Sequence, residues 1–446
     1  MISFPNFLSA QSPISTRFLD SLLKFGEKNF SLLKSKASQI QALQSGVQFK
    51  KEGLIPQVTA SYQVDYATYN NITGMIYPQF IIPISGPPSS GNNYSAVPGS
   101  ALSLNLNWDP ITFGLRKADI ELAKSRLVLG YKDQEFSIFQ QKILIIKAWL
   151  NYSLLSEIKK VLVKNRDRAD FNYKQGRSLV LSGLRPGTDS AILNSEKIKS
   201  EIQLIAFKQK VDSSRIQLDF LIANSGLLVY PSDSSFFNHL PEIGIEDKKK
   251  DHPELSRIKA AIAVDEQSLR LDKKSALPKL NIWASGYGRG SGIAYNGLVN
   301  ADQGWGLQRF NYGIGAQISV PVLEVLRQKS LWKEKAFTIQ SNKNLLELSE
   351  SQISSVNQLA DSALKSSISL AKMAPELEKL AEFSYKAIGS RYSSGLVTYY
   401  ELINSEQELI KAQVSRSIAY YQVWNNLLNK ASYSGDLEIF LSAYRR

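Results

Sequence analysis

Apolar and polar residues alternate without a break from Leu102 to Trp108. Leu102, Leu104, Leu106 and Trp108 share one side, and Ser103, Asn105 and Asn107 share the other. A period of two predicts a strand, over about 101–109, with one apolar and one wet face. After Pro110 the period changes. Phe136, Phe139, Ile143, Ile146, Leu150 and Leu154 step by threes and fours, with no proline between Phe113 and Arg177. The pattern predicts a helix over about 113–177, roughly 100 Å long at about 1.5 Å per residue. A compact globular domain has no use for a helix of that length.

The same reading extends along the chain. Residues 1–14 look irregular. Leu19, Leu22, Leu23, Phe30, Leu33, Ile40, Leu43 and Val47 predict one unbroken helix over about 15–52, stopped by Gly53 and Pro56. A strand is expected over about 57–67. Val58, Ala60, Tyr62, Val64 and Tyr66 lie on one face, and Thr59, Ser61, Gln63 and Asp65 on the other. Its length suits a tilted membrane-crossing strand. Residues 69–100, with Pro78, Pro83, Pro87, Pro88 and Pro98, read as a long loop. A turn over 176–187 is followed by a helix over about 188–223, with Thr188 and Asp189 as N-cap types. Residues 224–252 form a mixed connector. Asp251 is then the expected cap of a helix running from about 254 to 275, with Pro253, His252 and Glu254 in its first turn.

From there the plan repeats. Ala276-Leu277-Pro278-Lys279-Leu280 echoes Leu54-Ile55-Pro56-Gln57-Val58. Strands are expected over about 279–288 and 311–320, separated by a Gly-rich loop. In the first, Trp283 and Tyr287 fall on the otherwise polar face. In the second, Tyr312, Ile314, Ala316, Ile318 and Val320 alternate with Gly313, Gly315, Gln317 and Ser319. Pro321 matches Pro110, and Arg327 follows it as Arg116 follows Pro110. A second long helix is expected over about 322–389, kinked at Pro375. A turn at Tyr392-Ser393-Ser394-Gly395 leads into a final helix over about 398–430, and a tail over 431–446. The chain therefore reads as two structural repeats, 1–223 and 253–430, joined by the 224–252 connector.

Composition narrows the chemistry. Cysteine is absent, and the 446 residues hold only 2 His and 3 Met. Thiolate metal sites are excluded, and a His-cluster or soft-metal site is disfavoured, so no metal and no cofactor is expected. The formal net charge is +13. The one dense basic run, Lys248-Lys249-Lys250, is flanked by Asp247 and Asp251. No basic stripe is interleaved with aromatics, which argues against nucleic acid. No catalytic triad, phosphate loop or carboxylate pair is positioned by spacing, so no enzyme is indicated. No run of about 18 apolar residues occurs, yet spanning strands leave no such peak. Met1 to Ala10 lacks a basic segment followed by an apolar one, so an envelope protein would carry this numbering after loss of its leader.

Four amphipathic strands cannot close a membrane barrel, which needs about eight or more. Open edges in hydrocarbon cost several kcal/mol per unpaired group, so several chains must combine. The duplicated halves, the Leu277-Pro278 strand entry, the exits at Trp108-Asp109-Pro110 and Ser319-Val320-Pro321, and the turn Gly183-Leu184-Arg185-Pro186-Gly187-Thr188-Asp189 together resemble the TolC-type outer-membrane efflux protein family.

The resemblance implies an α+β, mainly α fold. It implies a homotrimer, in which 4 × 3 strands make a twelve-stranded β-barrel in outer-membrane lipid and twelve helices make a periplasmic tunnel closed by an iris. Its partners would be a periplasmic adaptor and an inner-membrane pump of RND or ABC type, for efflux of small molecules or type I protein secretion. Carried over residue by residue, the iris positions are Glu401 and Asn404, with Asp189 in the first-half turn; Asn404 departs from the family's second acid. Glu401 also reads as a first-turn acid facing the helix dipole. The adaptor tips are Gly183, Leu184, Gly395 and Leu396, where glycine also serves simple turn chemistry. The lipid face would carry Val58, Tyr62, Val64, Leu102, Leu104, Leu106, Trp108, Ile314 and Ile318. The lumen would carry Gln63, Asp65, Asn105, Asn107 and Gln317. The competing readings are a helical envelope scaffold and an adhesin displaying the 69–100 loop.

Overall fold

The computed structural model describes residues 14–68, 70, 90–223, 235–242, 251–294 and 296–445. Most of the 69–100 loop, much of the 224–252 connector including its lysine run, and residues 1–13 lie outside the described residues. The chain divides into two compact units. One comprises Met1–Gln41, Val128–Ile262 and Ser341–Arg446, and the other Ala42–Leu127 and Ala263–Gln340.

The second unit is built on a four-stranded antiparallel sheet, β1 (Gln57–Ala67), β2 (Val97–Ile111), β3 (Lys279–Ser291) and β4 (Arg309–Ser319), in that order. β2 and β3 are longer than the alternation predicts, because ladder bonding continues past the point where the apolar pattern lapses into Gly and Ser. Tyr62 opposes Leu102 and Val58 opposes Leu106, so the apolar faces of β1 and β2 coincide, while β3 sets Gly286 and Gly288 against Leu104 and Leu102. The ladder slips between Trp108 and Ile111, where Asp109-Pro110 sits. Proline cannot donate, so a bulge there is the natural place for it. Phe113 and Gly114 then take positive φ (47° and 96°) to turn the chain into the next helix. The Arg116 guanidinium closes that turn, donating to the carbonyls of Asp109 and Pro110.

The first unit is helical. Where one helix was expected over 15–52, there are two, α1 (Ile14–Asn29) and α2 (Ser31–Glu52). The junction at Phe30 keeps its helical bonds, Phe30 N–H to the Gly26 carbonyl and Lys34 N–H to that of Phe30, and it is closely packed. A Cβ on Gly26 would stand 2.5 Å from Ile145 Cδ1, and the Phe30 ring lies edge-on to Phe220 at 6.3 Å. The long helices are α3 (Leu115–Leu181) and α7 (Glu324–Ser393), each followed by a shorter one, α4 (Gly187–Leu221) and α8 (Tyr399–Ser434), with α5 (Ser235–Asn238) and α6 (Pro253–Ser275) between the two pairs in sequence. Pro375 does not end α7; it removes one ladder donor.

Two expectations about the connecting segments need correction. The connector holds a one-turn helix (Ser235–Asn238) that buries Phe236 and Phe237. The 431–446 segment is not a loose tail. α8 reaches Ser434, ends at Gly435 in the left-handed region, and is followed by a C-terminal helix (Glu438–Arg445). Phe440 and Tyr444 of that helix join Phe236, Trp424 and Trp149 in the main core. Trp424 Nε1 donates to the Phe236 carbonyl at 3.1 Å, and Arg445 forks onto both oxygens of Asp20.

The helix over Pro253–Ser275 is capped by His252 rather than Asp251. The Glu254 N–H donates to His252 Nδ1 at 3.2 Å, and His252 Nε2 lies 3.2 Å from the Ser432 carbonyl. Burial is the main cause lowering the His252 pKa below its ordinary 6.5, so the neutral ring is favoured.

Candidate functional site

Three places hold the residues singled out from the sequence. The first is the sheet. The register puts Val58, Tyr62 and Val64 of β1, Leu102, Leu104, Leu106 and Trp108 of β2, and Ile314 and Ile318 of β4 on one face. That face is not covered by the described residues: Leu104 is 54% exposed and Ile314 77%. The opposite face carries Gln63, Asp65, Asn105, Asn107 and Gln317. Its hydrogen bonds run side chain to side chain. Ser285 donates to Asn105 at 2.7 Å, Asn281 to Asp109 at 2.9 Å, and Gln63 to both oxygens of Asp65 at 2.8 Å. Trp283 stands on this polar face because Gly313 and Gly315 of β4 leave room for its ring; a Cβ on Gly315 would meet it at 2.6 Å.

The second place is the pair of turns that end α3 and α7. Gly183 and Gly395 both take left-handed φ (71° and 78°). Leu184 N–H donates to the Leu179 carbonyl and Leu396 N–H to that of Arg391, at 3.0 and 2.9 Å. Leu184 and Leu396 project outward, 72% and 70% exposed.

The third place follows those turns. Glu401 and Asn404 are both exposed on one side of α8 and line a shared hollow with Leu377, Leu380 and Ile388. Glu401 also closes a capping box with Thr398: its N–H donates to Thr398 Oγ1, and its carboxylate accepts from the Thr398 N–H. Asp189 is placed otherwise. The residue before α4 is Pro186, which offers no side-chain cap, so neither Thr188 nor Asp189 is the N-cap. Asp189 lies in the first turn, only 6% exposed, and does not share the surface with Glu401 and Asn404.

Several polar residues at these ends were missed from the sequence. Arg185 donates to the Val397 carbonyl at 2.9 Å and lies over the Tyr392 ring at 5.0 Å. Tyr392 is buried, and its pKa is pushed up first by that burial and then by Asp189. Deeper along the helices, Glu406 is only 7% exposed. Asn172 Nδ2 donates to it at 3.0 Å, and Arg168 Nε approaches at 3.4 Å in a charge contact without hydrogen-bond geometry. Arg168 also lies over the Tyr385 ring at 5.8 Å. Burial raises the Glu406 pKa above its ordinary 4.5, while Arg168 and Asn172 pull it down. A signal existed: Glu406 falls on the buried stripe of Leu402, Leu409 and Ala412, where a charge needs a partner.

No protein-family model and no curated protein sequence matches the chain. Solved structures do. The fold is shared with a membrane protein from Pseudomonas aeruginosa (TM-score 0.76, 12% identity, 94% of this chain and 92% of that one). It is shared with the transmembrane channel CusC (TM-score 0.74, 13% identity, 94% and 92%). The Campylobacter jejuni outer membrane channel CmeC is similar as well (TM-score 0.73, 14% identity, 94% and 85%). At such identities the likeness is one of fold.

Proposed function

We propose that this chain, which has the fold of the TolC-type outer-membrane channels, assembles as a homotrimeric exit duct in the outer membrane. The observation that carries the reading is the sheet. Among the described residues one face is apolar and uncovered, the other is polar, and β1 and β4 are each paired on one side only. In lipid those edges would leave several kcal/mol per unpaired group uncompensated, and joining β4 of one copy to β1 of the next removes both. The polar face then lines a lumen, since twelve strands enclose more space than their side chains fill. Exposed apolar residues on the helices support the same assembly. Leu370, Met373, Leu377 and Leu380 step by threes and fours along α7, and Ile198, Ile202 and Ile205 do so along α4. Both stripes suit helix packing between copies.

In this reading the helices form a periplasmic tunnel whose far end is narrowed by Glu401 and Asn404 of the three copies. Asp189 supports that end from behind its surface. Leu184 and Leu396 offer apolar anchors for a periplasmic adaptor. An inner-membrane pump supplies the energy, and the duct carries small molecules or secreted protein passively.

Two measurements test this. The unboiled protein, extracted with detergent, should run as a trimer and conduct ions in planar bilayers; a chain that stays soluble without detergent refutes the reading. Leu104→Asp should cost up to about 2 kcal/mol per chain on the lipid face and abolish the trimer band, whereas Asn105→Asp should leave it intact. Equal losses would mean that the two faces are assigned wrongly.

A further inference from the structure

Charge on the polar face of the sheet is unevenly placed. The row Asn311–Tyr287–Ser103–Ser61 and the rows beyond it as far as Gly315–Trp283–Asn107–Gln57 carry none. At the loop end, Arg289 of β3 and Arg309 of β4 are direct Cα partners, and both are exposed. Directly opposed side chains stand about 5 Å apart at Cβ, and like charges so placed destabilise a sheet. Neither guanidinium has an ion-pair or hydrogen-bond partner among the described residues. The nearby carboxylate, Asp65 in the adjoining row of β1, accepts from Gln63 Nε2 on both oxygens and makes no ion pair with either arginine among the described residues. Serine, asparagine and glycine keep the rest of this face wet. An arginine pair is therefore a costly choice unless the cations have a ligand. Arg289, Tyr287, Ser103, Gln63 and Asp65 also line one hollow of about 560 Å³.

We propose that Arg289 and Arg309 form an anion-binding band at the loop end of the polar face, one that captures multivalent oxyanions such as phosphorylated or polycarboxylated solutes. The proposal rests on the pore reading above. Guanidinium forks hold planar or tetrahedral oxyanions by two parallel hydrogen bonds, which a lysine cannot do. Each chain contributes two cations and one anion here, a net of +1. Three copies therefore leave the band at +3 even with every Asp65 ionised. A charged ring lining a pore concentrates counter-ions and selects among solutes.

The test uses the full chain reconstituted in planar bilayers, with pyrophosphate added to one side and then the other. Wild-type current should be blocked more strongly from one side. The Arg289→Gln/Arg309→Gln double variant, shown to form the trimer on unboiled gels, should need about tenfold more pyrophosphate for the same block. Asp65→Asn should strengthen the block. Equal sensitivity of wild type and double variant overturns the band while leaving the duct standing. Absence of any conductance from assembled wild-type protein overturns the duct itself.

Discussion

The turn at 182–189 and the turn at 394–401 are the same backbone carrying different chemistry. Both begin Ser-Gly-Leu, both put that glycine in the left-handed region, and both expose that leucine. They part at the next residue. Arg185 reaches across to the Val397 carbonyl, whereas Val397 is buried. Pro186 opens α4 without a side-chain cap, while Thr398 opens α8 with a full capping box. The acids at matching positions diverge accordingly: Asp189 is buried behind the surface, and Glu401 is exposed on it. The two turns share what the backbone demands and differ in what the side chains do. The turn geometry is local, so it survives any change of surroundings; the direction of an acid depends on what lies across from it.

This comparison can be broken at several points. The largest effect should come from Arg168→Met, which strands the buried Glu406 carboxylate and should cost about 3 kcal/mol in thermal unfolding of the detergent-solubilised protein. In the register of the two turns the first repeat has Asn194 at this place, and its next acid, Glu196, pairs with Lys199 at the surface; Lys199→Met should therefore stay within about 0.5 kcal/mol.

Gly183→Ala and Gly395→Ala should come next, each costing about 1–2 kcal/mol, because both force a Cβ into left-handed backbone. Their equality is the point, and a clear difference between them would show that the turns are not equivalent. Thr398→Ala should cost about 1 kcal/mol through loss of the cap, with faster amide exchange over Tyr399–Leu402. Pro186→Ala, with no side-chain cap to lose, should leave exchange at the start of α4 nearly unchanged.

The smallest effect is a pH dependence at Glu406. Burial raises its pKa above 4.5, so the folded chain binds more protons than the unfolded chain between 4.5 and the raised value. Stability contributed there is therefore greatest at the acid end and declines as pH rises through that window. Glu406→Gln should flatten the decline. His252 runs the other way. Its lowered pKa makes the fold lose stability as pH falls from 6.5 toward the lowered value, so the two are separable by variant.

Much of the architecture was readable from period alone. Alternation at Leu102–Trp108 and at Val58–Tyr66 located β2 and β1 and divided their faces, because a strand's side chains alternate whatever they pack against. The three-and-four stepping at Phe136–Leu154 located α3 for the same kind of reason. The helix junction at Phe30 was not readable; there Gly26 meets Ile145 and Phe30 meets Phe220, partners more than a hundred residues away in sequence. Nor was the place of the C-terminal helix, although Ile439, Phe440, Leu441 and Tyr444 are apolar or aromatic: what they pack against, Phe236 and Trp424, is set by the fold.

Among the candidate gate residues, sequence determined that acids follow both turns, but not which way they face. Burial of Asp189, exposure of Glu401 and the pairing of Glu406 with Arg168 and Asn172 were decided by tertiary structure. The reason is physical: period and turn chemistry are properties of neighbouring residues, whereas burial and charge pairing depend on what a distant segment brings alongside. The pairing of Arg289 with Arg309 belongs to that second kind. Only the β3–β4 register puts the two cations side by side.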